Sequence, residues 1–201
     1  MKYGAVILAA GQGSRFHGKK QFFEFMGKPL WRHVYDKAKH VMNGEENIVV
    51  VGVDIDGGAT RSMSVLSGLH ALERDTDRVI ILEAARPLVT EDQIRLLLES
   101  DAPSQSFVMP LVDTVIMRDG TYLDRDKMYD LLTPQAFDYK KLLKAYETGR
   151  YENMTDETRV MFEEYGMKPL LTETSDNLIK VTYRKDIYII SQIAGERNDK
   201  S

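Results

Sequence analysis

There is no cysteine among the 201 residues, which excludes a disulfide framework, a thiolate metal site and a cysteine nucleophile. Long apolar runs are missing as well. The opening one, around Ala5-Val6-Ile7-Leu8, is only about six residues, too short for the core of a signal peptide or for a membrane span. No basic run is long enough to reverse a net charge of −4, so neither nucleic acid nor a membrane is expected as a partner. The four histidines, His17, His33, His40 and His70, show no metal-ligand spacing. Internal repeats and low-complexity linkers are also absent. Hydrophobic content of 43% beside 29% charged residues is ordinary for a globular protein, and the expectation is one domain over 1–201 in a reducing cytoplasm.

What is present concentrates in residues 8 to 21, which run Leu8-Ala-Ala-Gly-Gln-Gly-Ser-Arg-Phe-His-Gly-Lys-Lys-Gln21. A buried strand that ends in glycines lets backbone N–H groups approach an anion closely. Arg15, Lys19 and Lys20 stand behind it to neutralise charge. A nucleoside triphosphate suits such a loop. Two better-known phosphate loops fit less well. The dinucleotide fingerprint needs a third glycine where Phe16 stands. A P-loop matches Gly13 to Lys19 but has Lys20 where a magnesium-binding hydroxyl belongs.

The apolar runs Ala5–Leu8, Ile48–Val53, Val79–Leu82 and Phe107–Val112 lack period-2 alternation. Amphipathic segments near Leu30–Val41, Ser62–Leu72 and Glu91–Leu98 separate them, the last behind a capping Thr90. Strands buried on both faces and separated by helices predict a mostly parallel central sheet in a three-layer α/β sandwich. Ligands in such sheets bind beyond the carboxyl ends of the strands, where the glycine loop falls. The middle breaks the rhythm: Val115 to Leu123 centres on Asp119-Gly120, a hairpin signal. A hairpin arm over about 113–131 is expected to project and to pair with a second subunit. Helices near Lys140–Tyr146, Glu157–Tyr165 and Arg184–Ile193, with a strand near Leu170–Thr172, complete the pattern.

Further segments extend the signal: Thr60-Arg61-Ser62-Met63-Ser64-Val65 with Gly68, Glu83-Ala84-Ala85-Arg86-Pro87, Asp113-Thr114, Leu132-Thr133-Pro134-Gln135, Asn177-Leu178-Ile179-Lys180-Val181-Thr182 and, more weakly, Thr155-Asp156-Glu157. With the glycine loop, in this order and at these separations, the chain resembles the 2-C-methyl-D-erythritol 4-phosphate cytidylyltransferases. The cytidylyltransferases that activate ribitol 5-phosphate share most of the pattern. Both belong to the nucleotidylyltransferases, with a nucleotide-diphospho-sugar transferase-like fold.

The resemblance implies a reaction in which a phosphate oxygen of a small polyol phosphate attacks the α-phosphorus of CTP and pyrophosphate leaves. It implies Mg²⁺ as cofactor and a homodimer formed through the arm. Carried over by position, Ala9, Ala10, Gly11 and Gly13 wrap the nucleotide, Ser64 meets the base and Arg86 lies near the metal. Arg15, Lys20 and Lys180 stabilise the α-phosphate and the leaving group. Thr114, Arg125 and Thr133 hold the substrate phosphate and polyol, and Glu83 with Asp176 serves the metal. Arg61 and Arg86 also admit a plainer reading as surface ion-pair residues, and Thr133-Pro134 as a simple turn. Three features depart from the family pattern: Glu83 replaces the usual aspartate, one extra residue precedes Lys180, and the loops after Arg15 and before Arg61 are short. These keep open a ribitol-type or other alditol phosphate substrate, a different nucleotide, or a nucleotide-binding member without turnover that serves as a regulatory or scaffolding subunit.

Overall fold

The apolar runs become neighbouring strands. A computed structural model describes residues 1–44, 47–174 and 178–198. In it β1 (Tyr3–Leu8) lies between β4 (Ile48–Val51) and β5 (Arg78–Glu83), parallel to both, and a small β2–β3 pair (Glu24–Phe25 and Lys28–Pro29) precedes β4 in the chain. The sheet continues with β6 (Ser104–Pro110) and β10 (Leu170–Glu173), again mutually parallel. Its order is β10-β6-β9-β5-β1-β4, and β9 (Tyr129–Asp138) is the antiparallel member between β5 and β6.

Side-chain alternation along each strand explains why the runs are apolar throughout. Ala5, Ile7, Val50, Ile80 and Leu82 face one cluster. It is completed by Val34 and Ala38 of α1 (Leu30–Val41) and by Ile94, Leu97 and Leu98 of α3 (Glu91–Leu98). Val6, Val49, Val51, Val79 and Ile81 face the opposite cluster. There they meet α2 (Arg61–Ala71), α4 (Tyr139–Glu147) and α5 (Glu157–Tyr165). Helices thus cover both faces of the sheet, as the sequence pattern predicts. Gly68 sets how closely α2 sits: a Cβ there would lie 2.4 Å from Cγ1 of Val6. A third, smaller cluster joins Phe16 and Leu30 to Val181, Ile190 and Ala194, laying α6 (Asp186–Asn198) against the glycine loop.

Capping follows the sequence closely. Thr90 and Gln93 form a reciprocal box at the start of α3, Asp156 accepts from Arg159 N at the start of α5, and Gly166 closes α5 with φ +66°. The hairpin is present, with β7 (Val115–Ile116) pairing with β8 (Tyr122–Leu123) and Gly120 at φ +91°. Residues 129–131, assigned to the arm from sequence, belong instead to β9 and pair with Pro110, Met109 and Val108 of β6. Thr133-Pro134 is likewise no turn: it lies inside β9, beside a register shift between Ser106 and Val108 that absorbs the missing proline donor.

Candidate active site

The three parallel strands β1, β4 and β5 deliver their carboxyl ends to one place. Past Leu8 the chain is pinned by Ala9 N donating to Val51 O at 2.8 Å and Ala84 N donating to Leu8 O at 3.1 Å. Glycines behind this segment make room for it. A Cβ on Gly52 (φ +99°) would lie 2.7 Å from Ala10 Cα, and one on Gly57 would lie 2.3 Å from Ala10 Cβ. Gly13, at φ +65°, turns the loop back so sharply that a Cβ would sit 1.8 Å from Gly18 O. Gly11 is different. Its φ is outside the left-handed region and no protein atom lies within 4 Å of where a Cβ would be, so the fold does not require glycine there. It lines a cleft of about 370 Å³ instead.

That cleft brings together Ala9, Ala10, Gly11, Lys20, Ser64, Glu83 and Lys180, seven of the residues assigned from sequence, together with Gln12, Gln21, Thr60 and Arg61. Lys20 is half-buried and donates from Nζ to Val181 O at 2.6 Å, tying the loop to the segment that carries Lys180. Burial, and then the neighbouring Lys180 charge, hold the Lys20 ammonium below its ordinary pKa. Glu83, at the end of β5, is buried and pairs directly with Lys180. Burial alone would push its carboxyl up, but the charges of Lys180 and then Arg61 hold it below the ordinary carboxylate range. The hydroxyl of Ser64 accepts from Gly58 N at 3.1 Å and donates to Thr60 O at 3.0 Å, fixing the 58–64 wall.

The remaining assignments fall elsewhere. Gly13 shapes the loop without lining the cleft. Arg15 is exposed, its guanidinium 5.9 Å from the centre of the Tyr183 ring. Arg86 is no surface residue: it donates from Nε to Thr133 Oγ1 at 2.8 Å and from Nη1 to Leu178 O, knotting β5, β9 and the 178–181 segment together. Thr114 and Arg125 are exposed in the hairpin region and do not line the cleft; Arg125 donates to Val112 O. Asp176 lies outside the described residues.

Arg61 was legible as part of the Thr60–Val65 family segment, with a surface ion pair as the plainer alternative, and the structure decides against the surface reading. It donates from Nη1 and Nη2 to the two carboxylate oxygens of Glu157 at 2.5 and 2.9 Å, and Glu157 has no exposed surface. The Thr155-Asp156-Glu157 motif was the available signal, but nothing in it said that the glutamate is buried. Gln21 was missed altogether: it is 5% exposed, and its amide oxygen has no hydrogen-bond partner.

Among the described residues no group of three His, Asp or Glu side chains could hold a metal by itself, and Glu83 is the one carboxylate lining the cleft. Mg²⁺ is typically held by one or two carboxylates plus substrate phosphates, so this donor set fits a metal that arrives with a nucleotide.

The model of the 2-C-methyl-D-erythritol 4-phosphate cytidylyltransferase family matches residues 4–196. The chain belongs to that family. Curated 2-C-methyl-D-erythritol 4-phosphate cytidylyltransferases resemble it along nearly their whole length. The protein of Halalkalibacterium halodurans is 31% identical, covering 98% of this chain and 99% of its own, and that of Aquifex aeolicus is 30% identical, covering 98% and 100%. Among solved structures, 4-diphosphocytidyl-2C-methyl-D-erythritol synthase from Anaerococcus prevotii superposes with a TM-score of 0.80 at 23% identity, covering 96% of this chain and 98% of that one. At that identity the likeness shows the fold. Family membership makes the chain a nucleotidyltransferase of the cytidylyltransferase class. Among the described residues no helix is long and apolar enough to cross a membrane.

Proposed function

We propose that this chain transfers CMP from CTP to 2-C-methyl-D-erythritol 4-phosphate, releasing pyrophosphate, as a cytoplasmic homodimer. The observation that carries this reading is the convergence of Lys20 and Lys180, from segments far apart in sequence, on a cleft whose floor is the Ala9-Ala10-Gly11 backbone. A substrate phosphate oxygen attacks the α-phosphorus, the bond to the pyrophosphate oxygen breaks, and the developing negative charge falls between the two ammonium groups. Attack of one anion on another needs positioning and charge neutralisation more than proton transfer, and neutralisation is what the half-buried Lys20 and the neighbouring Lys180 provide. Ser64, with its hydroxyl held by Gly58 N and Thr60 O, stands on the wall assigned to the base.

Mg²⁺, held by Glu83 together with phosphate oxygens, would neutralise the triphosphate and so favour departure of pyrophosphate. Glu83 is the carboxylate available for it, and Lys180 exchanges its carboxylate partner for phosphate when the nucleotide enters. Thr114 and Arg125 do not line the cleft of their own chain, so their role in holding the polyol phosphate requires the arm to reach a second copy. The exposed Val112, Ile116, Met117 and Tyr122 of the hairpin region supply apolar surface for that contact.

The test is pyrophosphate release with Mg²⁺ and CTP, comparing 2-C-methyl-D-erythritol 4-phosphate with ribitol 5-phosphate and glycerol 3-phosphate. Release with the first alone is expected. Release only with ribitol 5-phosphate would move the chain to the wall-polymer relatives, and silence with all three would refute the reading.

A further inference from the structure

A fully buried acid stands behind the cleft and takes no part in lining it. Glu157 opens α5, and its carboxylate accepts both Arg61 nitrogens, at 2.5 and 2.9 Å, and the Tyr146 hydroxyl at 3.0 Å. Burying an ion pair is poor support for stability, because desolvation consumes most of the Coulomb gain and an apolar pair often does as well. Something other than stability has to account for it. The same Arg61 guanidinium reaches the cleft, where Nη2 lies 3.5 Å from Glu83 Oε1. Glu83 in turn pairs with Lys180. The four side chains form a line of alternating charge from α5 to the cleft: Glu157, Arg61, Glu83, Lys180. The helix that carries Arg61 is docked to the same region by Ser62 Oγ donating to Met154 O and Thr60 Oγ1 donating to Glu152 O.

We propose that Glu157 is a positioning residue that acts through Arg61. It cancels the guanidinium charge and limits Arg61 to one long contact with Glu83, which lets a cation compete for that carboxylate and sets how strongly the cleft attracts anions. With Glu157 in place, the Arg61–Glu157 pair is neutral and the cleft's own charges are Lys20, Lys180 and Glu83, a net of one positive. Without the Glu157 charge the net becomes two, and Arg61 has Glu83 as its nearest remaining carboxylate. A variant that merely loosens the wall would bind anions more weakly. Loss of the buried acid does the opposite, and the sign of the change identifies the role.

The inference rests on the reading that this cleft takes a triphosphate, and the measurement separates the two. Inorganic triphosphate and CTP are titrated calorimetrically into wild type and Glu157→Gln in EDTA, and then CTP with Mg²⁺. The wild-type affinity reports on the reading itself; the ratio of variant to wild type reports on Glu157. One added positive charge within several ångströms of a polyanion is expected to tighten inorganic triphosphate binding about fivefold or more. The strengthening of CTP binding by Mg²⁺ should shrink in the same variant as Arg61 occupies Glu83. Binding of triphosphate that is unchanged or weaker in E157Q, with folding intact, would overturn the proposal. Should E157Q not fold, R61Q, which leaves the Glu157 charge behind the cleft unpaired, is compared with R61Q/E157Q, which removes that charge. The double variant is expected to bind inorganic triphosphate about fivefold or more tightly than R61Q, and binding that is equal or weaker would overturn the proposal.

Discussion

Replacing Gly11 by alanine separates the demands of folding from those of ligand binding. No protein atom lies within 4 Å of the new Cβ and the backbone there is not left-handed, so the folded chain accepts the methyl without strain. The unfolded chain loses conformational freedom, and the variant should be more stable by about 0.4–1 kcal/mol. Gly11 also lines the cleft, where a triphosphate must approach the backbone N–H groups to within hydrogen-bonding distance. A methyl standing in that path forces overpacking of roughly 1–3 kcal/mol. Such a penalty corresponds to CTP affinity weaker by about fivefold to 150-fold. Thermal or urea unfolding measured beside CTP titration would read both effects on one sample. Gly13→Ala is the contrast: with φ +65° and a Cβ 1.8 Å from Gly18 O, it should damage the loop and lower stability and binding together. If Gly11→Ala bound CTP as well as wild type, the nucleotide would not lie along this backbone and the site assignment would fall.

Other consequences follow from the charged groups. Burial, then Lys180, lowers the pKa of Lys20, so its charged form carries a folding penalty that is in full force at neutral pH and is relieved only as the pH rises through its lowered value. An incoming triphosphate restores the charged form. CTP binding at alkaline pH should therefore take up protons, seen as a buffer-dependent calorimetric enthalpy that Lys20→Ala abolishes. Glu83 has a lowered pKa, so its contribution to stability is present above the ordinary carboxylate value and is lost as the pH falls through the folded one. Glu83→Gln should flatten the acid limb of a stability–pH curve; an unaltered limb would mean that the Lys180 pair does not hold in solution. Arg78 is buried at the far end of β5 from the cleft, donating to Leu97 O at 2.8 Å and Ala102 O at 2.6 Å. Arg78→Met leaves both carbonyls unpaired and should cost roughly 2–4 kcal/mol in urea unfolding, with CTP affinity unchanged where the protein is folded.

Much of this architecture could be read from the residues, and what could not has identifiable physical causes. Val49, Val50, Ile80 and Ile81 announce strands buried on both faces because side chains on either side need apolar neighbours. Thr90 and Gln93 mark a helix start because the capping box is a local interaction. The strand β9 carries no such mark: Gln135 is polar, and Pro134 argues against a central position. Only the surrounding sheet and the shift beside Val108 make it one. Contacts across long separations were equally silent. Nothing in Thr155-Asp156-Glu157 shows that Glu157 is buried against Arg61, ninety-six residues away along the chain. Arg86 was placed near the metal, with a surface ion pair as the plainer alternative, because a sequence does not display Thr133 and Leu178 at its tip. The glycine loop was legible because backbone geometry restricts it locally, whereas the cleft depends on what the rest of the chain brings to that loop.

The bond from Lys20 Nζ to Val181 O joins positions 161 residues apart, and this sets the order in which the protein is completed during synthesis. At roughly 5–20 residues per second, the second partner is made about 8–32 s after the first. During that interval β1, β4 and β5 can pair, while the glycine loop has neither its tie to Val181 nor the neighbouring Lys180. A nascent chain released early would carry the loop and most of the sheet yet present a half-built cleft. A chain that stops short of Lys180 and Val181 is therefore expected to bind nucleotide more weakly than one that contains them.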